Sequence, residues 1–390
     1  MLGPAKELVS LATRTAFRLL CAILAAVGLL SLPTTASAVP RTDLSRAVAD
    51  STITAHPAAS LGLGYTDALF LLGLYRVYQR THERRYLDYI EGWGAAKVAP
   101  DGDTGNPYND LDSMLAGNVF LVLARETGDT RYSLAAGRIR DRLDTYPRTS
   151  VGGFIHNTGF TGQLWADGAF MLAPFLAHYG AATGDSFATT QSAKQLITYF
   201  GHLRDPSGLL YHAYDETRTQ SWADPATGHS PEVWCRAVGW FGAATVDVLD
   251  SLPRTSPDRR ALIGIVGYLA DGYGKSQDPA TGRWFQLPLK PTLTGNWTET
   301  SCSSLYTYVL SRAIQRGYIG REYQPVVDRG YAGVRDRVSV ADDGTTQITV
   351  IGTGTSVGDA AYYLARPRAT NDFHGIGAFL YLNEQIMDAL

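Results

Sequence analysis

Apolar positions along this chain fall into paired, helix-length stretches that differ in how completely they are apolar. The first member of a pair, such as LFLLGLYRVY from residue 69, VFLVLA from 119 and FMLAPFLAHYG from 170, is hydrophobic nearly all round, as a buried helix must be. The second member shows one apolar stripe at 3.6-residue spacing, the mark of an outer helix. The turns RTHERRY, RETGDTRY and AATGDSF join the members within segments 69–90, 119–143 and 170–200; further copies lie near 239–269 and 304–335, and a final helix runs from 375 to 390. A helical hairpin cannot bury its apolar face alone, so the copies must stack on one another. Such stacking can close into a ring or continue as an open solenoid. Closure fits better, because neither end carries a polar capping hairpin and the loops between pairs are long. The predicted fold is all-α, an (α/α)6 barrel of six helical hairpins. One segment departs from the helical period: RVSVADDGTTQITVIGTG, residues 337–354, alternates around Asp343-Gly344 and predicts a small β-hairpin near the C-terminus.

The first 38 residues have a different character. Lys6, Arg14 and Arg18 precede an apolar run from Leu19 to Leu32 and a small-residue site, Ala36-Ser37-Ala38, which together read as a secretory signal peptide. The run is too short to span a bilayer. Residues 39–390 then form a single catalytic domain, secreted and without stable membrane association once the leader is removed. Loss of the leader takes the formal charge from -3 to -5, because three basic residues and Glu7 leave with it. A chain of that charge offers nothing to nucleic acid. Cys21 also leaves, so Cys235 and Cys302 remain. In an oxidising compartment these two can pair, or each can be a separately buried thiol, and spacing alone does not decide.

Long loops on a rigid helical scaffold usually carry function. Here they are YNDLD at 108–112, PRTSVGGFIHNTGFTGQLWADG at 147–168, 209–240 and 282–301, all rich in Gly, Trp, Asp and His. Asp167 stands where a Gly-rich loop enters an apolar helix. A carboxyl held there out of bulk water can keep its proton near neutral pH and donate it, although the same position also suits a plain helix cap. The eight histidines are scattered without ligand spacing, so no metal site is expected, nor any other cofactor. No G-x-S-x-G element follows a strand, which excludes the serine-hydrolase pattern.

Taken together, Pro147-Arg148-Thr149, Gly152-Gly153-Phe154-Ile155-His156, Trp165-Ala166-Asp167-Gly168, Leu111-Asp112, Gly208 to His212, Trp234 to Trp240, Asn296 to Ser301 and Asn371 to Gly377 resemble, in order and spacing, the unsaturated rhamnogalacturonyl hydrolases. They are more distantly similar to the unsaturated glucuronyl hydrolases. Both families fold as (α/α)6 barrels, and the likeness spans nearly all of residues 39–390. It implies an oligosaccharide substrate ending in a 4,5-unsaturated uronic acid, whose vinyl ether is hydrated rather than displaced, in contrast to the paired carboxylates of retaining glycosidases. By the same likeness Asp167 is the catalytic acid/base and Asp112 a second pocket acid. A neighbouring carboxylate and burial would raise the Asp167 pKa while a helix N-terminus would lower it, and the expectation here is that the first two prevail.

Arg236 and Trp240, four residues apart on one helix face, would fork onto the substrate carboxylate and stack on a sugar ring. His212 would bind sugar hydroxyls, with His156, Trp165, Trp234 and Arg148 lining the walls. Two departures stand out. Asn157 replaces the lysine usual after the loop histidine, and Cys235 and Cys302 replace Gly and Ala; that joint change favours a disulfide between two inner-helix entrances. Asn296-Trp297-Thr298 reads as a glycosylation sequon only by accident. The alternatives are an ordinary glycosidase on the same scaffold, with Glu232 or Glu299 as second acid, and a sugar-binding protein that no longer reacts.

Overall fold

A computed structural model describes residues 43–389 of the 390-residue chain. The predicted signal peptide, residues 1–38, lies outside the described residues.

Five inner-outer hairpins succeed one another: α2 (Tyr65–Thr81) with α3 (Arg84–Lys97), α4 (Ala116–Thr127) with α5 (Thr130–Arg142), α6 (Ala166–Thr183) with α7 (Ser186–Leu203), α8 (Cys235–Ser251) with α9 (Arg259–Ser276), and α10 (Thr300–Gln315) with α11 (Gln324–Arg335). The two helix types differ in burial as the sequence pattern requires. Every residue of α8 from Cys235 to Leu249 is buried, whereas α9 buries one stripe, Leu262, Ile265, Val266, Leu269, Ala270, Gly272 and Tyr273. The TGD turns work by a shared device. Gly128 and Gly184 end their helices in the left-handed region, at φ 70° and 78°, and the next residue, Asp129 or Asp185, caps the succeeding helix through its carboxylate.

The sixth pair differs from the expected sequential hairpin. The last inner helix, α13 (Phe373–Ala389), takes as its outer partner α1 (Leu44–Ala55), from the other end of the chain. Asn383 Nδ2 donates to Ser45 Oγ at 2.6 Å across that seam. The inner ring runs α2–α4–α6–α8–α10–α13 and back to α2. Its closing crossing is tight: a Cβ on Gly377 would lie 2.5 Å from Leu69, and one on Gly73 would lie 2.9 Å from Leu380. The architecture is thus an (α/α)6 barrel closed by the first and last of its described helices.

Four two-stranded antiparallel sheets decorate one end of the barrel. The predicted hairpin is present as β5 (Val338–Val340) and β6 (Thr346–Ile348). The others are shorter: β1 (Gln163–Trp165) pairs with β2 (Ala213–Asp215), β3 (Trp284–Phe285) with β4 (Thr298–Glu299), and β7 (Ile351–Gly352) with β8 (Arg368–Ala369). A short helix α12 (Ala360–Leu364) lies between β7 and β8. None of the described helices is long and apolar enough to cross a membrane.

Candidate active site

Strands β1 and β4 run directly into inner helices, and this junction fixes the register of the first helical turn. Trp165, Trp234 and Glu299 all occupy the N-cap with extended backbone, near φ -101 to -111°. The residues two places on, Asp167, Arg236 and Ser301, are therefore the second residues of α6, α8 and α10, and His374 holds the same place in α13. One structural position on four inner helices thus supplies an acid, a cation, a hydroxyl and an imidazole.

Asp167 is nearly buried, with His212 beside it. The register of β1 against β2 sets Trp165 opposite Ala213, so His212 stands next to the start of α6, and its carbonyl accepts the Ala166 N–H at 2.9 Å. His212 Nε2 approaches Asp167 Oδ2 to 2.9 Å, but the two face each other off the axis of a good hydrogen bond. His212 is fully buried, with Nδ1 2.6 Å from the Tyr363 hydroxyl. Tyr363 also accepts the Gly358 N–H at 3.3 Å, which leaves its proton for Nδ1 and puts the imidazole proton on Nε2, toward Asp167.

This arrangement overturns the expected direction of the Asp167 pKa. Burial pushes the carboxyl up, but His212, His156 and the backbone amide at the helix start outweigh it, and the net shift is downward. Asp112 behaves in the opposite way. It opens the short 3-10 turn Asp112–Leu115 ahead of α4, and its carboxyl is pushed up to about 6, by burial first and then by Asp167 and Asp110, against the pull of His156. His156 Nε2 lies 3.6 Å from Asp112 Oδ1. The imidazole stacks on Trp165 at 4.7 Å, and Phe160 stacks on the same indole at 5.1 Å, giving a three-ring platform beside the two acids.

Arg236 is buried and already engaged. It donates to the Gly352 carbonyl at 2.5 Å and the Thr353 carbonyl at 2.8 Å, lies 3.8 Å from Glu299, and sits over the Trp234 ring at 4.8 Å; its Nε has no partner among the described residues. Trp240 is buried as well, one face stacked on Phe170 at 5.0 Å and its edge toward Tyr65. Trp234 packs against His212 and Tyr363. Arg148 is not brought into this cluster: it covers the Phe154 ring at 3.8 Å and donates to Gly152 and Gln191, so it braces the Gly-rich loop. Asn157 caps the turn at Gly159 through its side chain.

Glu299 and Glu232, the alternative second acids, have structural partners. Glu299 is fully buried and accepts from Ser301 Oγ, Cys302 N and Gly352 N, while Glu232 is paired with Lys290 at 2.5 Å. The sulfurs of Cys235 and Cys302 are bonded, with Cα atoms 5.7 Å apart, so α8 and α10 are joined at their first turns. Glu299 also lies near those sulfurs, but sulfurs in a disulfide are not thiolate ligands.

Tyr65 and His374 join the cluster; His374 lies within a matching motif that assigns it no role, and the sequence pattern does not single out Tyr65. Tyr65 Oη lies 2.5 Å from His374 Nε2, and His374 Nδ1 lies 2.5 Å from Asp372, the residue ahead of α13. Burial raises the Tyr65 pKa, Arg236 lowers it, and Asp112, Asp167 and Asp372 raise it further, which places its hydroxyl among the charges of the site. Asp372-Phe373-His374 is visible as a motif; what sequence hides is that its partner is the first residue of α2.

Comparison with known proteins bears on the family and the fold. The model of glycosyl hydrolase family 88 matches residues 44–388. A glycoside hydrolase of family 105 from C. acetobutylicum superposes with a TM-score of 0.85 at 31% identity, covering 89% of this chain and 99% of the other. A family 88 glycosyl hydrolase from Bacteroides vulgatus shares the fold, with a TM-score of 0.71 at 19% identity over 89% of this chain and 98% of its own. Protein Atu3128 of Agrobacterium fabrum is 32% identical over 231 residues, 54% of this chain and 95% of its own length.

Proposed function

The chain belongs to glycosyl hydrolase family 88, and from that premise we propose that it removes a terminal 4,5-unsaturated uronic acid from lyase-generated oligosaccharides by hydrating the vinyl ether. The observation that carries this reading is the divergence of two neighbouring carboxyls, Asp112 raised to about 6 and Asp167 lowered by His212. Environments that push two acids apart in this way separate a proton donor from a proton acceptor. In the sequence of events proposed, Asp112 gives its proton to C4 and an oxocarbenium-like cation develops at C5. Water adds at C5 and loses its proton to ionised Asp167, which His212 orients. The resulting hemiketal opens to a ketone and releases the saturated sugar. Regeneration of the pair needs only proton exchange with solvent.

A second reading has its own support. Asp167 occupies the position of the acid/base in the resemblance and is the more buried of the two acids, with a side chain 13% exposed against 35% for Asp112. If Asp167 performs both steps, the substrate carboxylate must lift its pKa on binding. The trio His156, Trp165 and Phe160 suits a sugar ring in either case. The leader-like residues 1–38 and the Cys235–Cys302 bridge support export to an oxidising compartment.

The test is to incubate the protein with oligosaccharides made by a polysaccharide lyase and follow the ultraviolet absorbance of the conjugated alkene. Loss of absorbance with release of the saturated sugar is the expected result. Persistent absorbance alongside cleavage of saturated glycosides would replace this reading with ordinary hydrolysis, and binding without any reaction would make the chain a sugar receptor.

A further inference from the structure

The end of the barrel away from the candidate acids is not filled. A cavity of about 930 Å³ opens there, and all six inner helices contribute to its wall. Its size falls in the range of small-molecule sites, about 300–1,000 Å³. Phe170 borders the cavity and stacks on Trp240 at 5.0 Å.

The charged groups of this cavity are balanced once Glu126, just outside its lining, is counted, whereas its hydrogen bonding is not. Each arginine lining it has an acid at hand: Arg76 lies 3.8 Å from Asp247, Arg125 lies 3.3 Å from Glu126, and Arg312 is paired with Asp250. Arg76 also lies flat over Tyr381, 4.0 Å from the ring centre, and donates one Nη to Tyr308. Several acceptors are left over. His178 Nδ1 faces the Asn118 side-chain oxygen at 2.7 Å, and the Asn118 amide nitrogen donates to Leu115, so the imidazole proton is on Nδ1 and Nε2 presents a lone pair. Burial and the cations Arg76 and Arg125 lower the His178 pKa, which keeps that lone pair available. Asp247 has a side chain only 9% exposed; one oxygen accepts from Tyr308 and the other has no hydrogen-bond partner among the described residues. Pro174, inside α6, has no N–H for the carbonyl of Phe170 one turn back, and both residues line the cavity.

A charge-balanced cavity with spare acceptors and an aromatic wall does not call for an anion, and three arginines disfavour a cation. A ring bearing several hydroxyls satisfies it. We infer that this cavity is a second binding site, distinct from the candidate catalytic mouth, for a neutral pyranose sugar, with the partly exposed Leu121, Val122 and Tyr179 as its apolar and aromatic wall and His178, Asp247 and Arg76 as its hydrogen-bonding partners.

Isothermal titration of the full chain with three matched ligands tests this: D-galactose, its anionic relative D-galacturonate, and its cationic relative D-galactosamine. The expected result is saturable binding of D-galactose, at least tenfold tighter than either charged ligand. His178→Leu removes the acceptor, and Ala182→Trp blocks the exposed rim without touching the core; each weakens D-galactose binding at least tenfold. Asp167→Asn, at the other mouth, leaves it within twofold. Absence of saturable D-galactose binding, tighter binding of a charged ligand that the Ala182→Trp block removes, indifference of D-galactose to that block, or loss of D-galactose binding in Asp167→Asn overturns the inference. If His178→Leu fails to fold, the Ala182→Trp result decides.

Discussion

Replacement of His156 by Phe examines the acid assignment most directly. The Asp112 carboxyl is raised to about 6, and His156, 3.6 Å away, is the group that restrains it from rising further. Phe preserves the ring stacked on Trp165 and removes the imidazole. If protonated Asp112 is the donor, kcat/KM tracks its protonated fraction, which falls from about 90% at pH 5 to about 1% at pH 8 for a midpoint near 6, close to a ninety-fold loss. The acid limb is set by Asp167, whose ionised form is required and whose pKa is lowered, so it falls well below the alkaline limb. In His156→Phe the alkaline midpoint moves upward, because the imidazole that favoured the carboxylate is gone. The assay is the initial rate of alkene loss from a lyase-made disaccharide, at substrate well below KM, across pH 4 to 9. A wild-type profile flat to pH 8 would refute the assignment of Asp112, and so would an alkaline limb that stays in place or moves down in His156→Phe.

The same contacts set further expectations. Asp112→Asn abolishes turnover yet raises the melting temperature at pH 7. The folded-state pKa of Asp112 lies above its unfolded value, so the acid weakens the fold as pH rises from about 4 through about 6, and the two melting temperatures should converge below about pH 4. Asp167→Asn abolishes turnover while leaving oligosaccharide affinity within a few-fold in a binding titration; a near-normal rate would remove Asp167 from the reaction. Arg236→Met leaves fully buried Glu299 without its cation and costs about 3–5 kcal/mol in urea unfolding. The Cys235–Cys302 bridge spans 67 residues, so breaking it costs about 4 kcal/mol on the chain-entropy account; intact mass with and without reduction and alkylation reports whether it has formed.

The barrel is legible in the sequence because its inner helices are apolar on all sides and its outer helices on one, a difference carried by the residue pattern of α8 and α9 alone. The turn device is legible too, since Thr-Gly-Asp places a left-handed residue directly ahead of a cap. Closure by the first and last described helices is not. Helix α1 carries an ordinary stripe, and the residue that receives Asn383 lies 338 positions away. Within the site, the second helical position explains why the Trp-x-Asp and Trp-x-Arg pairs matter, since both place a charged side chain two residues after an extended cap. The direction of the Asp167 pKa is hidden because His212, 45 residues on, is brought beside it only by the β1–β2 register. Tyr65 has the look of a core tyrosine at a helix start, and Arg148, although part of a matching motif, braces a loop instead.

Because α1 and α13 lie side by side, the first and last described helices meet in one wall of the barrel. The order in which the wall segments are strung together is therefore not what holds the ring shut. A circularly permuted gene for residues 44–389 that joins α13 to α1 with a flexible tether and opens the chain at the exposed turn around Gly128 would encode the same circle of helices from a new starting point.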